Sequence, residues 1–172
     1  MSRNLVAGLV MMAAVALLGA RAAAADWETN FDKAAQAAAK SGQFLLLDFS
    51  GSDWCGWCMR LDEEVFSQPE FKKYAKRNLV CVLLDFPHQK KQNKKVRAQN
   101  VRLAGKYGVR GYPVVIILAP DGTLVGRTGY KAGGATPYVA HLKAMIDAYK
   151  QEHPSGGPAA PEPASPAPAP GK

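Results

Sequence analysis

Two cysteines three positions apart, Cys55 and Cys58, stand directly after an apolar run over residues 44–49, in the order Ser52-Asp53-Trp54-Cys55-Gly56-Trp57-Cys58. The residues that follow have helical periodicity. No other feature constrains the fold as tightly. A buried strand must hand the chain to a helix, with the first sulfur at the helix start. Unpaired backbone N–H groups point outward there, and the helix dipole favours negative charge. A thiol so placed gives up its proton more readily, and the thiolate is the reactive form. Sulfurs at this spacing can also close into a small disulfide.

A chain of 172 residues holds about one domain with additions. Arg3, an apolar run over residues 5–20, and the small residues Ala23, Ala24 and Ala25 read as a signal peptide over residues 1–25. The run is shorter than the ~20 residues that span a bilayer comfortably, so no stable membrane insertion is expected after cleavage. The expected location is periplasmic or secreted. Residues 151–172 hold seven prolines among Ala, Gly, Ser and Glu. That composition suits a Pro/Ala-rich disordered tail. Residues 26–150 remain as the folded domain, large enough for one core.

The formal net charge is +8, and Arg3 and Arg21 would leave with the signal peptide. Lys90, Lys91, Lys94, Lys95, Arg97 and Arg102 fall in one stretch without an acidic residue. No aromatic residues interleave these cations as a base-stacking platform requires, and no nucleic-acid partner is expected. A solvated basic loop and helix face is the simpler reading; docking to an acidic partner or a membrane surface is the other. The third cysteine, Cys81, lies inside the apolar run 79–84. It is expected in the core as a small hydrophobe, with a third redox thiol as the alternative.

Along the chain, Phe31, Ala34, Ala35 and Ala38 mark a helix over residues 27–40, with Asn30 as N-cap and Gly42 at its C-terminal end. Residues 43–50 form a buried strand with one polar intruder, Asp48. Residues 51–53 are a loop and 55–66 a helix. Ser67-Gln68-Pro69-Glu70 reads as a capping box that restarts a helix, with Ser67 as the cap. A strand over 79–86, a loop over 87–93 and a helix over 93–107 follow. Residues 114–118 and 123–128 form two strands joined by the turn Pro120-Asp121-Gly122, and 137–149 closes as a helix. The order predicts an α/β fold with a mixed sheet of about four strands and helices on both faces.

This order resembles the thioredoxin superfamily, on Leu47-Asp48-Phe49, Trp54-Cys55-Gly56-Trp57-Cys58, the Gly-x-Pro of Gly111-Tyr112-Pro113 and Asp121-Gly122. The Gly-Ser-Asp-Trp-Cys-Gly-Trp-Cys form is most similar to exported bacterial thioredoxin-like proteins. The resemblance implies a three-layer thioredoxin-like sandwich and a thiol–disulfide oxidoreductase without cofactor. Cys55 would attack a disulfide in a protein substrate and Cys58 would resolve the mixed disulfide, leaving a redox-active Cys55–Cys58 disulfide. Pro113 matches the family's cis-proline and would leave the backbone of Tyr112 free to pair with substrate. Trp54 would pack beside the site, and Trp57 would offer partly exposed apolar surface. Asp48 would take the proton of Cys58 through water. It lies seven residues before Cys55, one more than in thioredoxin, and the additional residue is expected in the 51–53 loop. A structural, capped or edge Asp is the alternative. Gly56-Trp57 replaces the thioredoxin Gly-Pro, which changes the potential in an unspecified direction. Acids near the dithiol, Asp53, Asp62, Glu63 and Glu64, weigh toward a reductase or isomerase.

Implied partners are protein thiols or disulfides and a redox partner protein, and the chain is expected to be a monomer. Two other readings compete. A copper or zinc carrier would use the same cysteine pair, but Cys81, His88, His141 and His153 form no second paired spacing. A non-catalytic adaptor would use the basic stretch and the tail. Met59, where a His would follow the second cysteine, argues against covalent haem.

Overall fold

The computed structural model describes residues 27–154. The expected signal peptide over 1–25 lies outside the described residues, as does the expected tail beyond residue 154. Helix α1, Phe31–Ser41, is capped as the sequence indicates. The Asn30 side chain accepts from the backbone N–H of Lys33, and Gly42 ends the helix with φ of 71°, a conformation that favours glycine.

Strand β1, Phe44–Ser50, is buried along its whole length. It is the second strand of a sheet ordered β2-β1-β3-β4, in which β2 is Leu79–Asp85, β3 is Val114–Leu118 and β4 is Leu124–Thr128. β1 pairs parallel with β2 and antiparallel with β3, and β3 pairs antiparallel with β4. The sheet is therefore mixed, as expected. Glu28, which the sequence placed at the start of a helix, instead bridges Val82 in parallel and extends the β2 edge. Its N–H donates to Cys81 O and its carbonyl accepts from Leu83 N, both at 2.9 Å.

Alternation along β1 divides the core. Phe44 and Leu46 join Leu61, Val65, Phe66, Phe71, Cys81, Tyr138 and Leu142 on one face. Leu45, Leu47 and Phe49 join Ala34, Ala38, Leu84 and Leu103 on the other. The first face is covered by helices α2 (Gly56–Leu61), α3 (Pro69–Asn78) and α5 (Ala135–Glu152), the second by α1 and α4 (Lys94–Lys106). Each fully buried Leu or Phe contributes about 1.5–3 kcal/mol relative to exposure. Two apolar faces on one sheet hold β1 in a single register, because a one-residue slip would turn every side chain over. No register shift interrupts β1 against either neighbour.

Two expectations are corrected. Ser67 does not cap α3: Gln68 stands at the cap position without a side-chain cap bond, and Pro69 starts the helix. The Ser67 hydroxyl donates instead to Asp62 Oδ2 at 3.2 Å. The reason is a π-helical turn over Asp62–Phe66 at the end of α2, closed by Ser67 N donating to Asp62 O at 2.8 Å. That turn lets Val65 and Phe66 both face the core, and an α-helical count does not find it. Second, α5 runs from Ala135 to Glu152, so residues expected in the final loop and the start of the tail are helical.

Candidate active site

The loop after β1 turns tightly. Gly51 O accepts from Trp54 N at 3.3 Å and from Cys55 N at 2.9 Å. A Cβ on Gly51 would lie 2.5 Å from Cε2 of the Trp54 indole, so only glycine admits the ring where it lies. Cys55 is the N-cap of α2, and its Sγ accepts from the backbone N–H of Cys58 at 3.2 Å. This is the helix-start geometry that the spacing implied, with an N–H aimed at the sulfur. Cys55 and Cys58 are joined by a disulfide of 2.05 Å, with Cα atoms 5.3 Å apart. Both cysteines are buried, at 6% and 4% exposure, beside exposed Trp54 and Trp57.

The surroundings of the dithiol are aromatic. Trp54 Nε1 donates to Phe86 O at 2.8 Å, and its ring stacks on His88 with centroids 4.4 Å apart. The edge of Tyr112 meets Trp54 at 5.6 Å, and the Tyr112–Pro113 peptide bond is cis. On the other side, Trp57 packs on Tyr130 at 5.1 Å. The Arg60 guanidinium lies over both rings, 5.5 and 5.6 Å from the centroids. Glu64 accepts from Arg60 Nε at 2.6 Å and from the Tyr130 hydroxyl at 2.7 Å. These two hydrogen bonds, that from Tyr130 the larger influence, hold its carboxyl below the usual range.

Asp48 stands on the face of β1 that carries α2. It is 6% exposed, and its Oδ1 has no hydrogen-bond partner. Burial, with smaller contributions from the charges of Asp62 and Asp85, pushes its carboxyl up to about 8. A buried carboxyl without a donor disfavours the charged form. Asp48 and Cys58 line the same cavity of about 290 Å³, with Trp27, Ser52, Met59 and Phe66 among its other walls. The space is large enough for water between the two groups. Cys81 is buried on the same face, and burial followed by the Asp48 charge pushes its thiol up to about 12.

The partners of Asp53 and Ser52 carried no sequence signal. Asp53 accepts from the backbone N–H groups of His88, Gln89 and Lys90 at 2.9, 2.8 and 2.9 Å. Those bonds, that of His88 first, bring its carboxyl down to about 2. Ser52 donates from N and Oγ to Asp85, at 2.9 and 2.7 Å. Such contacts over more than thirty residues of separation leave no local pattern. Among the described residues, no three His, Cys, Asp or Glu side chains gather as a metal-holding group.

The fold and this centre define a class: an α/β protein with a helix-capping dithiol that closes into a disulfide, beside a cis-proline. A family model for a thioredoxin-like domain matches residues 31–146, and the chain belongs to the thioredoxin-like family. The disulfide bond reductase DsbH of Chlamydia pneumoniae is 31% identical over 125 residues, covering 73% of this chain and 75% of that protein. The thioredoxin-related protein DsbJ of the same organism is 33% identical over 127 residues, covering 70% of this chain and 36% of DsbJ. A solved DsbH oxidoreductase superposes with a TM-score of 0.68 at 30% identity, covering 71% of this chain and 84% of that one. A thioredoxin from Thermus thermophilus superposes at 0.53 with 20% identity, covering 78% and 95%, a likeness of fold alone.

Proposed function

We propose that this thiol–disulfide oxidoreductase works as a reductase of disulfides in exported polypeptides, with Cys55 as nucleophile and Cys58 as resolving thiol. The observation that carries the reading is the position of Cys55 Sγ at the start of α2, facing the N–H of Cys58. In the reduced protein that donor and the helix dipole stabilise a thiolate. The Cys55 thiolate attacks one sulfur of the substrate disulfide. That S–S bond breaks, the departing sulfur takes a proton, and a mixed disulfide forms. Cys58 then passes its proton through water to Asp48, whose carboxyl, raised to about 8, is ionised in a minor fraction of molecules at neutral pH, and attacks Cys55 Sγ. The mixed disulfide breaks, the second substrate sulfur leaves as a thiol, and the Cys55–Cys58 disulfide closes. Two electrons have passed to the substrate, and a redox partner protein returns them.

The direction is supported by likeness to a protein named a disulfide bond reductase. The cis bond before Pro113 presents the Tyr112 backbone to an extended substrate segment, and Trp54 and Trp57 flank it. The protein is exported by a cleaved signal peptide over residues 1–25 and acts as a monomer in the periplasm or outside the cell. Among the described residues, no helix is long and apolar enough to cross a membrane. The test is a Cys58→Ala protein. It should accumulate a mixed disulfide through Cys55 with polypeptide substrates, while Cys55→Ser should form none and lose insulin-disulfide reduction. Trapping through Cys58 in the Cys55→Ser protein would reverse the two roles.

A further inference from the structure

A second concavity adjoins the dithiol, on the side of Trp54. It is a cleft of about 800 Å³ between the β2–α4 loop and Tyr112. Trp54, Phe86 and Tyr112 form its aromatic floor, and Lys90, Lys91 and Arg97 stand along it. The three floor rings touch one another, Phe86 on Tyr112 at 5.2 Å and Tyr112 on Trp54 at 5.6 Å. Trp54 thus belongs to both the dithiol surround and the cleft.

The cationic wall is fastened. Both Asp53 carboxylate oxygens are taken by the backbone N–H groups of residues 88–90. Gln92 Nε2 donates to Asp85 O at 2.9 Å, and Asn93 caps α4 by accepting from Lys95 N. Lys90 Nζ donates to the neutral hydroxyl of Ser52 at 3.2 Å. Among the described residues, no carboxylate forms an ion pair with Lys90, Lys91 or Arg97; the ion pairs found are Lys33–Glu28 and Arg60–Glu64. Asp53, bonded to the loop backbone, and Asp85, bonded to Ser52, keep their charges, and that of Lys90 acts on Asp53, while neither carboxylate pairs with Lys91 or Arg97. The cleft therefore presents unbalanced positive charge over an apolar floor, in contact with the dithiol surround.

We infer that this cleft is a specificity site for an acidic segment of the polypeptide substrate, flanking the cysteine that Cys55 attacks. The inference rests on the reductase reading above. An extended segment passing Tyr112 leads into the cleft, where its apolar atoms cover the rings and its carboxylates meet the three cations. The concave aromatic floor favours a peptide over a flat lipid surface. Complementary charge at such a rim raises encounter rate and selects partners more than it adds affinity. Each exposed pair is worth little alone, so three together are expected to change the rate about tenfold, with strong screening by salt.

The experiment uses the reduced full-length protein and two synthetic peptides, each with one disulfide. In one the flanking segment carries Glu and Asp; in the other, Gln and Asn stand in their place. The expected result is reduction of the acidic peptide about tenfold faster at about 0.01 M ionic strength, where the screening length is about 30 Å, with the ratio approaching one in about 1 M salt, where it is about 3 Å. In K90Q/K91Q/R97Q the ratio should fall to near one already at low salt. Equal rates for the two peptides in the unaltered protein overturn the inference and leave the reductase reading intact. A ratio that survives in the triple variant also overturns it. If neither peptide is reduced, both readings fall. Equal rates, together with triple-variant-sensitive binding to phosphatidylglycerol vesicles, would reassign the cations to lipid.

Discussion

Asp48→Asn is the most exacting test of the site's electrostatics. The carboxyl is pushed from about 3.8 up to about 8 by burial, with Asp62 and Asp85 adding to the effect. Between those two values the folded protein keeps the proton and the unfolded chain releases it. The unfolded state binds fewer protons there, so stability falls as pH rises. The loss is about 1.4 kcal/mol for each pH unit, or about 4 kcal/mol at pH 7 and about 6 kcal/mol above pH 8. That is a large part of a typical folding free energy of about 5–15 kcal/mol. Asn has nearly the same shape and no charge, so its own burial adds only an offset independent of pH. Guanidinium unfolding of the oxidised protein, followed by tryptophan fluorescence from pH 4 to pH 8.5, reads the difference between the two proteins. Contributions from Asp53 and His141 are shared and cancel. The stability of Asp48→Asn relative to the unaltered protein should rise steadily with pH and level off near pH 8. Two curves that stay parallel across the range would refute the assignment of a buried, unpartnered carboxyl at this position.

Other outcomes follow from the same geometry. Gly51→Ala places a methyl 2.5 Å from the Trp54 ring; it should lower stability by about 1–3 kcal/mol and shift Trp54 emission as the bond to Phe86 O breaks. Cys81 is buried with its thiol pushed up to about 12, so iodoacetamide at pH 8 should leave Cys81 unlabelled in the native reduced protein and label it after unfolding. Asp53→Asn should speed hydrogen exchange at the amides of residues 88–90. Because the folded Asp53 carboxyl is lowered to about 2, its contribution is present above pH 4 and lost as pH falls toward 2, and the variant should show a flatter acid-unfolding curve there. Tyr138→Phe removes the 3.1 Å hydrogen bond to Gly129 O and should cost about 1 kcal/mol.

Local chemistry made much of this protein legible without coordinates. The Asn30 and Gly42 caps, the buried run through Leu45, Leu46 and Leu47, and the Asp121-Gly122 turn each depend on neighbours within a few residues. So does the placement of Cys55 at a helix start. The alternation of β1 also put Asp48 on a defined face once the strand was recognised, although the face that carries α2 could be named only from the pairing. What remained hidden arises from contacts between distant segments. The β2–α4 loop is held by Asp53 from the loop after the neighbouring parallel strand β1, and Trp57 meets Tyr130 only because α2 and the segment before α5 converge. The π-turn at Asp62–Phe66 exists because Val65 and Phe66 both find the same core.

The sequence alone therefore determined the order of elements, the caps of α1 and the reactive pair, since spacing, side-chain shape and backbone donors act at short range. Tertiary structure alone decided the cavity that Asp48 shares with Cys58, the hold of Asp53 on residues 88–90 and the joining of Lys90, Lys91 and Arg97 to the aromatic floor beside Trp54. Desolvation and charge alignment depend on which segments pack together, and no short stretch of chain contains that information.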